Sequence, residues 1–335
     1  MTLTVRNEAD VLAANLAYHL HAGVDFVLAV DNGSTDESPE VLETYARKGC
    51  LEWRSAPDPH FNQNEEVTRM AREAATLFDA DWVINTDTDE FWWPRGSSLK
   101  DVLAAVPPRF GSVRGMLRHF VPRPFGPDYF AERMIVRLCV PVTEKDHTFS
   151  PHFKTAHRGN PEVRTGGGNH EVYGPGMAPL LGWYPLDILH FPLRSAEQST
   201  EKYLRWWQFS QSPRVPAPRV KEFYEAYQRG DAKSFYGSHV VDDDALAPGL
   251  RDGTYAIDTR LRDVLRSFGL DGSSPPDSRA SSDGAADTGY VSEVGALEAR
   301  NALALAQRHV EALEARLDRL ERSLPARVRK KLKLT

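Results

Sequence analysis

The chain has 335 residues, enough for one large domain or two and for a substantial buried core. Its net charge of −6 supplies no global basic field, so nothing in the charge balance points to a nucleic-acid partner. Two distant cysteines, Cys50 and Cys139, make neither a disulfide framework nor a zinc motif; no leader-like segment or membrane-spanning apolar run is visible, and the expected setting is reducing and cytosolic.

The first ninety or so residues alternate between strand and helix patterns. "MTLTV" is a short β-branched strand. In "EADVLAANLAYHLHAG", Val11, Leu12, Leu16 and Leu20 recur at helical spacing, and Gly23 stops the run. "DFVLAV" is a near-continuous apolar strand, "DNGSTDESP" has loop chemistry, and "PEVLETYARKG" is a helix ended by Gly49. "CLEWRS" is a third strand. "NQNEEVTRMAREAATLFDA" is a helix with Val67, Met70, Ala71, Ala74 and Phe78 on one side, and "DWVIN" is the fourth strand. Apolar strands alternating with helices imply a parallel sheet covered on both faces, with ligands beyond the carboxyl ends of the strands. That rule selects Arg6-Asn7-Glu8, Asp31-Asn32-Gly33-Ser34 and Asp87-Thr88-Asp89 as three loops opening on one edge.

Residues 99–268 are more mixed. "SVRGMLRHFVP" and "RMIVRLCVPV" read as strands, "TGGGNHEVYGPG" as a glycine-rich loop, and "SAEQSTEKYLRWWQFS" as a helix capped by Ser195. Ser, Gly, Asp and Pro then dominate a flexible linker, residues 269–290. Over residues 291–324, Ala296, Leu303, Val310, Leu317 and Leu324 share one heptad position, and Ala299, Ala306, Leu313 and Leu320 share the other. This is the pattern of a coiled coil able to form a homo-oligomer, or of an amphipathic helix docked on its own domain. The basic tail, residues 325–335, reads as a solvated end or as a peripheral contact with anionic lipid.

The acidic cluster in "ADWVINTDTDEFWWP" carries the sharpest chemistry. In an extended segment, residues i and i+2 point to one side, so Asp87 and Asp89 would present two carboxylates together. Like charges that close favour a cation between them, and hard oxygen ligands favour Mg²⁺ or Mn²⁺, whose open positions substrate phosphates fill. No G-x-G-x-x-G follows the first strand and no G-x-x-x-x-G-K-[ST] occurs, which disfavours dinucleotide dehydrogenases and P-loop enzymes.

"VRNEADVLAANLAYHLHAGVDFVLAVDNGSTDES" followed by "ADWVINTDTDEFWWP" resembles the nucleotide-sugar half of family-2-like glycosyltransferases, in the bacterial branch marked by R-N-E, D-N-G-S-T-D and D-x-D-E-F. The likeness is close over about residues 3–95, with weaker echoes in "HFKTAHRG", "GNHEVYG" and "LHFPLRSAEQSTEKY". It implies a GT-A fold: an α/β, Rossmann-like, mostly parallel sheet with helices on both faces, here followed by the coiled-coil helix. Residues 1–98 would form the donor half and residues 99–268 the acceptor half. It also implies a nucleotide-sugar donor, a Mn²⁺ or Mg²⁺ ion, a glycan or glycolipid acceptor and transfer with inversion.

Carried over residue by residue, Asp31 matches the carboxylate that contacts the nucleobase, although an Asx-turn role is compatible with it. Arg6, Asn7 and Glu8 match the floor of the nucleotide pocket; Asn7 or Glu8 would serve equally as a helix cap. Asp87 and Asp89 match the metal motif, Asp89 as the direct ligand and Asp87 also as a sugar or ribose contact, with Glu90 orienting them. Arg72 matches a basic residue near the nucleotide, or else a helix-surface salt bridge. Inverting transfer needs a carboxylate base; Glu171 is the first choice, with Asp187 and Asp146 as rivals, because the familiar Glu-Asp signature is absent.

His190 is a metal or phosphate ligand or a core histidine; His147, His152 and His157 have a poor spacing for zinc. Lys154 and Arg194 are candidate diphosphate neutralisers or solvated charges. Trp92, Trp93, Trp206 and Trp207 are sugar platforms or core packing. The competing functions are a nucleotidyltransferase that makes the sugar nucleotide, and a non-catalytic coiled-coil scaffold carrying a degenerate enzyme domain.

Overall fold

The computed structural model of the protein describes residues 1–58, 62–96, 98–124, 129–139, 153–210, 218–270 and 310. The opening alternation takes the expected form: β1 (Thr2–Val5), α1 (Ala9–His21), β2 (Val27–Asp31), α2 (Ser38–Arg47), β3 (Leu51–Ser55), α3 (Gln63–Leu77) and β4 (Trp82–Asp87). Then follow β5 (Glu90–Pro94), α4 (Leu99–Ala104), β6 (Ser112–His119), α5 (Phe130–Arg133), β7 (Val136–Leu138), β8 (Phe153–Arg158), β9 (Arg164–Thr165), β10 (Val172–Tyr173), β11 (Pro179–Leu180) and β12 (Leu186–His190). The remaining elements are α6 (Ala196–Ser210), α7 (Pro218–Gln228), α8 (Ala232–Gly237), α9 (Asp243–Asp252), β13 (Tyr255–Ile257) and α10 (Arg260–Ser267).

The main sheet has the order β3-β2-β1-β4-β8-β6-β12-β5, with β11 also beside β6. The first four strands are parallel, β8 runs antiparallel between β4 and β6, and β12 runs parallel to β6. This is the expected α/β class, a mostly parallel sheet with helices on both faces, as a GT-A-like fold has. The sheet is continuous across residue 98, because β5 crosses over to pair antiparallel with β12.

Strand periodicity explains how both faces are covered. Leu3, Val5, Val27 and Ala29 pack against Leu12 and Leu16 of α1 and Leu42 and Tyr45 of α2. The alternate positions Leu28, Val30 and Val83 pack against Val67, Met70, Ala71 and Ala74 of α3. A strand buried on both sides must be apolar throughout, which is why Val27 to Val30 show no polar alternation. Phe78, expected on the α3 face, lies just past the helix and stacks on Phe26. A second core joins α6, α7 and α8 to β7 through Tyr203, Phe223, Phe235, Val136 and Leu138.

Ser195 caps α6 as expected: its hydroxyl accepts from the Gln198 N–H at 3.1 Å. Within "RMIVRLCVPV" the described residues contain β7, the last three lying outside them, and the glycine-rich loop carries a 3-10 turn, Gly167–Asn169. No helix among the described residues is long and apolar enough to cross a membrane. The coiled-coil segment apart from Val310, the basic tail, nearly all of the linker, Asp146, His147 and His152 lie outside the described residues.

Candidate functional site

The R-N-E and D-N-G-S-T-D loops form one hydrogen-bonded unit at the carboxyl edge of β1 and β2. Asn7 takes a positive φ of 51°, a region that asparagine enters more readily than most residues. There its backbone N–H donates to Ser34 Oγ at 2.9 Å, and its side-chain carbonyl accepts from the Thr35 N–H at 2.8 Å. The Glu8 N–H donates to Ser38 Oγ at 3.0 Å. Neither Asn7 nor Glu8 caps α1 with its side chain; Asp36 from the second loop accepts from the Ala9 N–H at 2.9 Å instead. Asp31 is buried and accepts from the N–H groups of Gly33 and Ser34, both at 3.2 Å, so its Asx-turn role is realised. The turn needs Gly33, whose φ is 70°.

The acidic cluster is built differently from the extended arrangement expected. β4 ends at Asp87, Thr88 and Asp89 form a turn, and Glu90 opens β5. Asp87 and Asp89 therefore engage different partners. The Asp87 carboxylate accepts from Gln63 Nε2 and Lys154 Nζ, each at 2.9 Å. Asp89 is ion-paired with Lys202, with His190 Nε2 at 3.6 Å and Arg194 Nη1 at 3.8 Å. Glu90 lies 2.8 Å from Lys154 Nζ.

Arg194 links this turn to the first loop. Its side chain is only 1% exposed and holds Glu8 and Asp10, the latter at 2.6 Å, while also donating to the Phe191 carbonyl at 3.1 Å. Arg194 and Lys154, weighed above as solvated charges, are both buried. Helix α6 closes the same corner: Asn7 Nδ2 donates to Glu201 at 3.4 Å, and Arg205 donates to the Arg6 carbonyl at 3.2 Å.

Asp89, Glu90 and His190 each offer a ligand atom, all within 4.8 Å of one another. Asp87 is not in that group, and Glu90, expected to stand behind the ligands, is. Glu8, Asp10, Asp87, Asp89 and Glu90 are touched by Lys154, Arg194 and Lys202, and burial pushes the Glu8 carboxyl up against the pull of Arg194. Burial pushes the Glu90 carboxyl up; Lys154 opposes that shift, and Asp87 and Asp89 add to it. Burial also works against ionised Asp89, but Lys202, His190 and Arg194 together hold its carboxyl well below the usual range. The donor set is two carboxylates and one imidazole, a chemistry that fits a divalent Mn²⁺ or Mg²⁺ ion.

Several residues of this site have no counterpart among the sequence expectations, Lys202, His119 and Asn15 foremost. Lys202 supplies the ion pair to Asp89. His119, at the end of β6, places its Nδ1 3.0 Å from His190 Nδ1. A proton on His190 Nδ1 would bond His119 and leave the Nε2 lone pair on the Asp89 side, the arrangement that orients a ligating histidine. Asn15 is fully buried on α1, and its Nδ2 donates to the carbonyls of Thr88 at 3.0 Å and Glu90 at 2.8 Å. It thus clamps the backbone on both sides of Asp89. Tyr18 and His19 fasten the next turn of chain: the Tyr18 hydroxyl donates to the Trp92 carbonyl at 3.0 Å, and His19 Nε2 accepts from the Trp92 N–H at 3.1 Å.

The remaining candidates have other partners. Glu171 is exposed; its carboxylate accepts from the Tyr173 hydroxyl, and its carbonyl accepts from Gly166 at 2.7 Å. Asp187 pairs with Arg118 at 2.8 Å and Arg260 at 3.1 Å. Arg72 donates to the Val163 carbonyl at 2.8 Å. His157 is buried, with Nδ1 2.8 Å from the Arg158 carbonyl. Trp92 is a core residue at 0% exposure, Trp93 stacks on Tyr18 beneath Arg260, and Trp207 stacks on Tyr224. Trp206 is 45% exposed, with Lys202 Nζ 5.5 Å from its ring centroid.

Residues 3–109 match a family model described as glycosyltransferase family 92. No curated protein matches the chain. Among solved structures, S. aureus TarS residues 1–349 in complex with UDP-GlcNAc is similar at 12% identity and a TM-score of 0.36, over 65% of this chain and 69% of that one. The mannosyltransferase PcManGT from Pyrobaculum calidifontis in complex with GDP-Man and Mn²⁺ is similar at 16% identity and a TM-score of 0.35, over 80% of this chain and 78% of that one.

Proposed function

We propose that the protein is a glycosyltransferase that moves a sugar from a nucleotide-sugar donor to an acceptor hydroxyl, with Mn²⁺ or Mg²⁺ bound by Asp89, Glu90 and His190. The observation that carries this reading is the meeting of three loops at one sheet edge: R-N-E, D-N-G-S-T-D and the acidic turn, where Asp89, Glu90 and His190 converge. The family-92 match over residues 3–109 supports a glycosyltransferase; kinship with family-2-like enzymes is a reading of the three sequence motifs alone.

The R-N-E and D-N-G-S-T-D loops bind the nucleotide, with Asp31 toward the base and Arg6, Asn7 and Glu8 beneath it. Asp87 and its partner Lys154 lie on the donor side, toward ribose or sugar. A metal held here supplies Lewis-acid neutralisation of the leaving nucleoside diphosphate. An exposed carboxylate accepts the acceptor hydroxyl proton as that oxygen bonds the anomeric carbon and the bond to the diphosphate breaks; Glu171 takes this role, giving inversion. Asp187 is less suited, because its carboxylate is committed to two guanidinium groups.

The test is a panel of nucleotide sugars, including UDP-GlcNAc and GDP-mannose, incubated with Mn²⁺ and wild-type protein or Asp89→Asn. Donor turnover by the wild type, at least a hundredfold lower in Asp89→Asn, is the expected result, since a lost metal ligand removes several kcal/mol of charge stabilisation. Turnover of no donor, or equal turnover by both proteins, defeats the reading.

A further inference from the structure

The acidic turn already holds a cation of its own. Lys202 Nζ sits against Asp89 Oδ2, the same oxygen approached by His190 and Arg194. Asp89 is also one of the three candidate metal ligands. An ammonium and a divalent ion held by one buried carboxylate repel strongly. One of the resident cations must give way when a metal arrives.

The geometry identifies which one. Arg194 is tied to Glu8, Asp10 and the Phe191 carbonyl as well as facing Asp89. Lys154 bridges Asp87 and Glu90. Among the described residues Lys202 makes one direct ion pair, with Asp89, and its charge acts on Glu8 only from farther away. Its ammonium ends a flexible four-carbon stem beside the half-exposed Trp206 ring, whose face gives the released charge somewhere to rest.

We infer that Lys202 is an exchangeable counterion: it neutralises Asp89 in the empty site, leaves when the metal binds, and then pairs with the donor diphosphate that the metal carries. This rests on the glycosyltransferase reading and adds a specific role to a residue that no motif marks. The exchange has a signature that a merely structural lysine lacks. Removing the ammonium relieves competition for the metal but deprives the diphosphate of a partner, so the two affinities move in opposite directions.

The experiment titrates Mn²⁺ alone, then UDP and GDP at saturating Mn²⁺, into wild type, Lys202→Met and Lys202→Arg, with a thermal melt of each protein. For Lys202→Met, Mn²⁺ should bind about tenfold tighter and the better nucleotide about tenfold weaker, the size of one charged hydrogen bond gained or lost. Lys202→Arg should keep both affinities within about threefold of wild type, because the charge remains. If the methionine variant does not fold, Lys202→Gln carries the same expected split. Both affinities falling together, or neither moving, overturns the exchange while leaving the glycosyltransferase reading intact. Wild-type protein that binds neither Mn²⁺ nor nucleotide overturns both.

Discussion

Replacing Asn15 by leucine tests whether α1 holds the acidic turn in place. Leucine nearly conserves the volume but removes the amide that reaches the Thr88 and Glu90 carbonyls at 3.0 and 2.8 Å. The site is fully buried, so water cannot replace the lost donor. An unsatisfied buried acceptor costs about 1–3 kcal/mol; with two carbonyls affected and some relaxation, Asn15→Leu should lose about 2–4 kcal/mol of stability. In a domain of this size that lowers the melting temperature by about 5–12 °C. Because the two carbonyls flank Asp89, the turn should also loosen, and Mn²⁺ affinity measured on the folded variant should fall about tenfold. Thermal melts and Mn²⁺ titration well below the melting point separate the two effects. An unchanged melting temperature would show that the clamp is not formed. A lowered melting temperature with Mn²⁺ affinity within twofold of wild type would show that the clamp supports the fold and does not position the ligand.

Arg194→Met should be the most damaging single change at the site, costing about 3–5 kcal/mol in urea unfolding, because Glu8, Asp10 and Asp89 lose a shared buried guanidinium; a loss below about 1 kcal/mol would contradict the network. Trp206→Ala should leave the melting temperature nearly unchanged, since the ring is 45% exposed, yet raise KM for a sugar substrate about tenfold if that face stacks on a pyranose; an unchanged KM removes it from the site. Stability should also fall with acid. His19 and His157 are kept neutral by burial, lowered from 6.5 to about 3 and about 4, so the unfolded chain takes up protons that the fold refuses. Their contribution is intact above pH 6.5 and drains away as pH falls from there toward 4, by up to about 1.4 kcal/mol per pH unit for each ring. Urea unfolding across that range should show a slope shallower by about one proton in His157→Leu; an identical slope would mean the ring titrates normally in the fold.

Much of the first part of the fold, β1 to β4, was legible because its signals are local. Short apolar runs ending in R-N-E, D-N-G-S and D-x-D mark the carboxyl edge of a parallel sheet, and strand–helix alternation fixes which edge it is. The sequence pattern even carried Ser195 as a helix cap. What could not be read depends on pairs far apart in the chain. Arg194 meets Glu8 across 186 residues, Lys202 meets Asp89 across 113, and Asn15 reaches the acidic turn across 73 and 75. None of these has a local signature: each is one polar residue within an otherwise ordinary helix or loop. The turn at Thr88-Asp89 was hidden for another reason. "NTDTDEFWW" contains no glycine or proline, so no breaker marks where one strand ends and the next begins, and the turn there gives Asp87 and Asp89 different partners. β8 and β12 escaped notice because each is short and mixes polar with apolar residues. Burial places Trp92 in the core, while Trp206, on a helix more than a hundred residues away, keeps an open face beside Lys202.

The central claim is that the acidic turn is the metal side of a nucleotide-sugar site. Crystals grown with Mn²⁺ and UDP or GDP test it most directly, through anomalous scattering from manganese. The expected result is one strong peak bonded to Asp89, with Glu90 and His190 around it and the diphosphate on its open side. A nucleotide bound at the R-N-E and D-N-G-S-T-D loops with no manganese near Asp89, or manganese bound elsewhere on the chain, would contradict it.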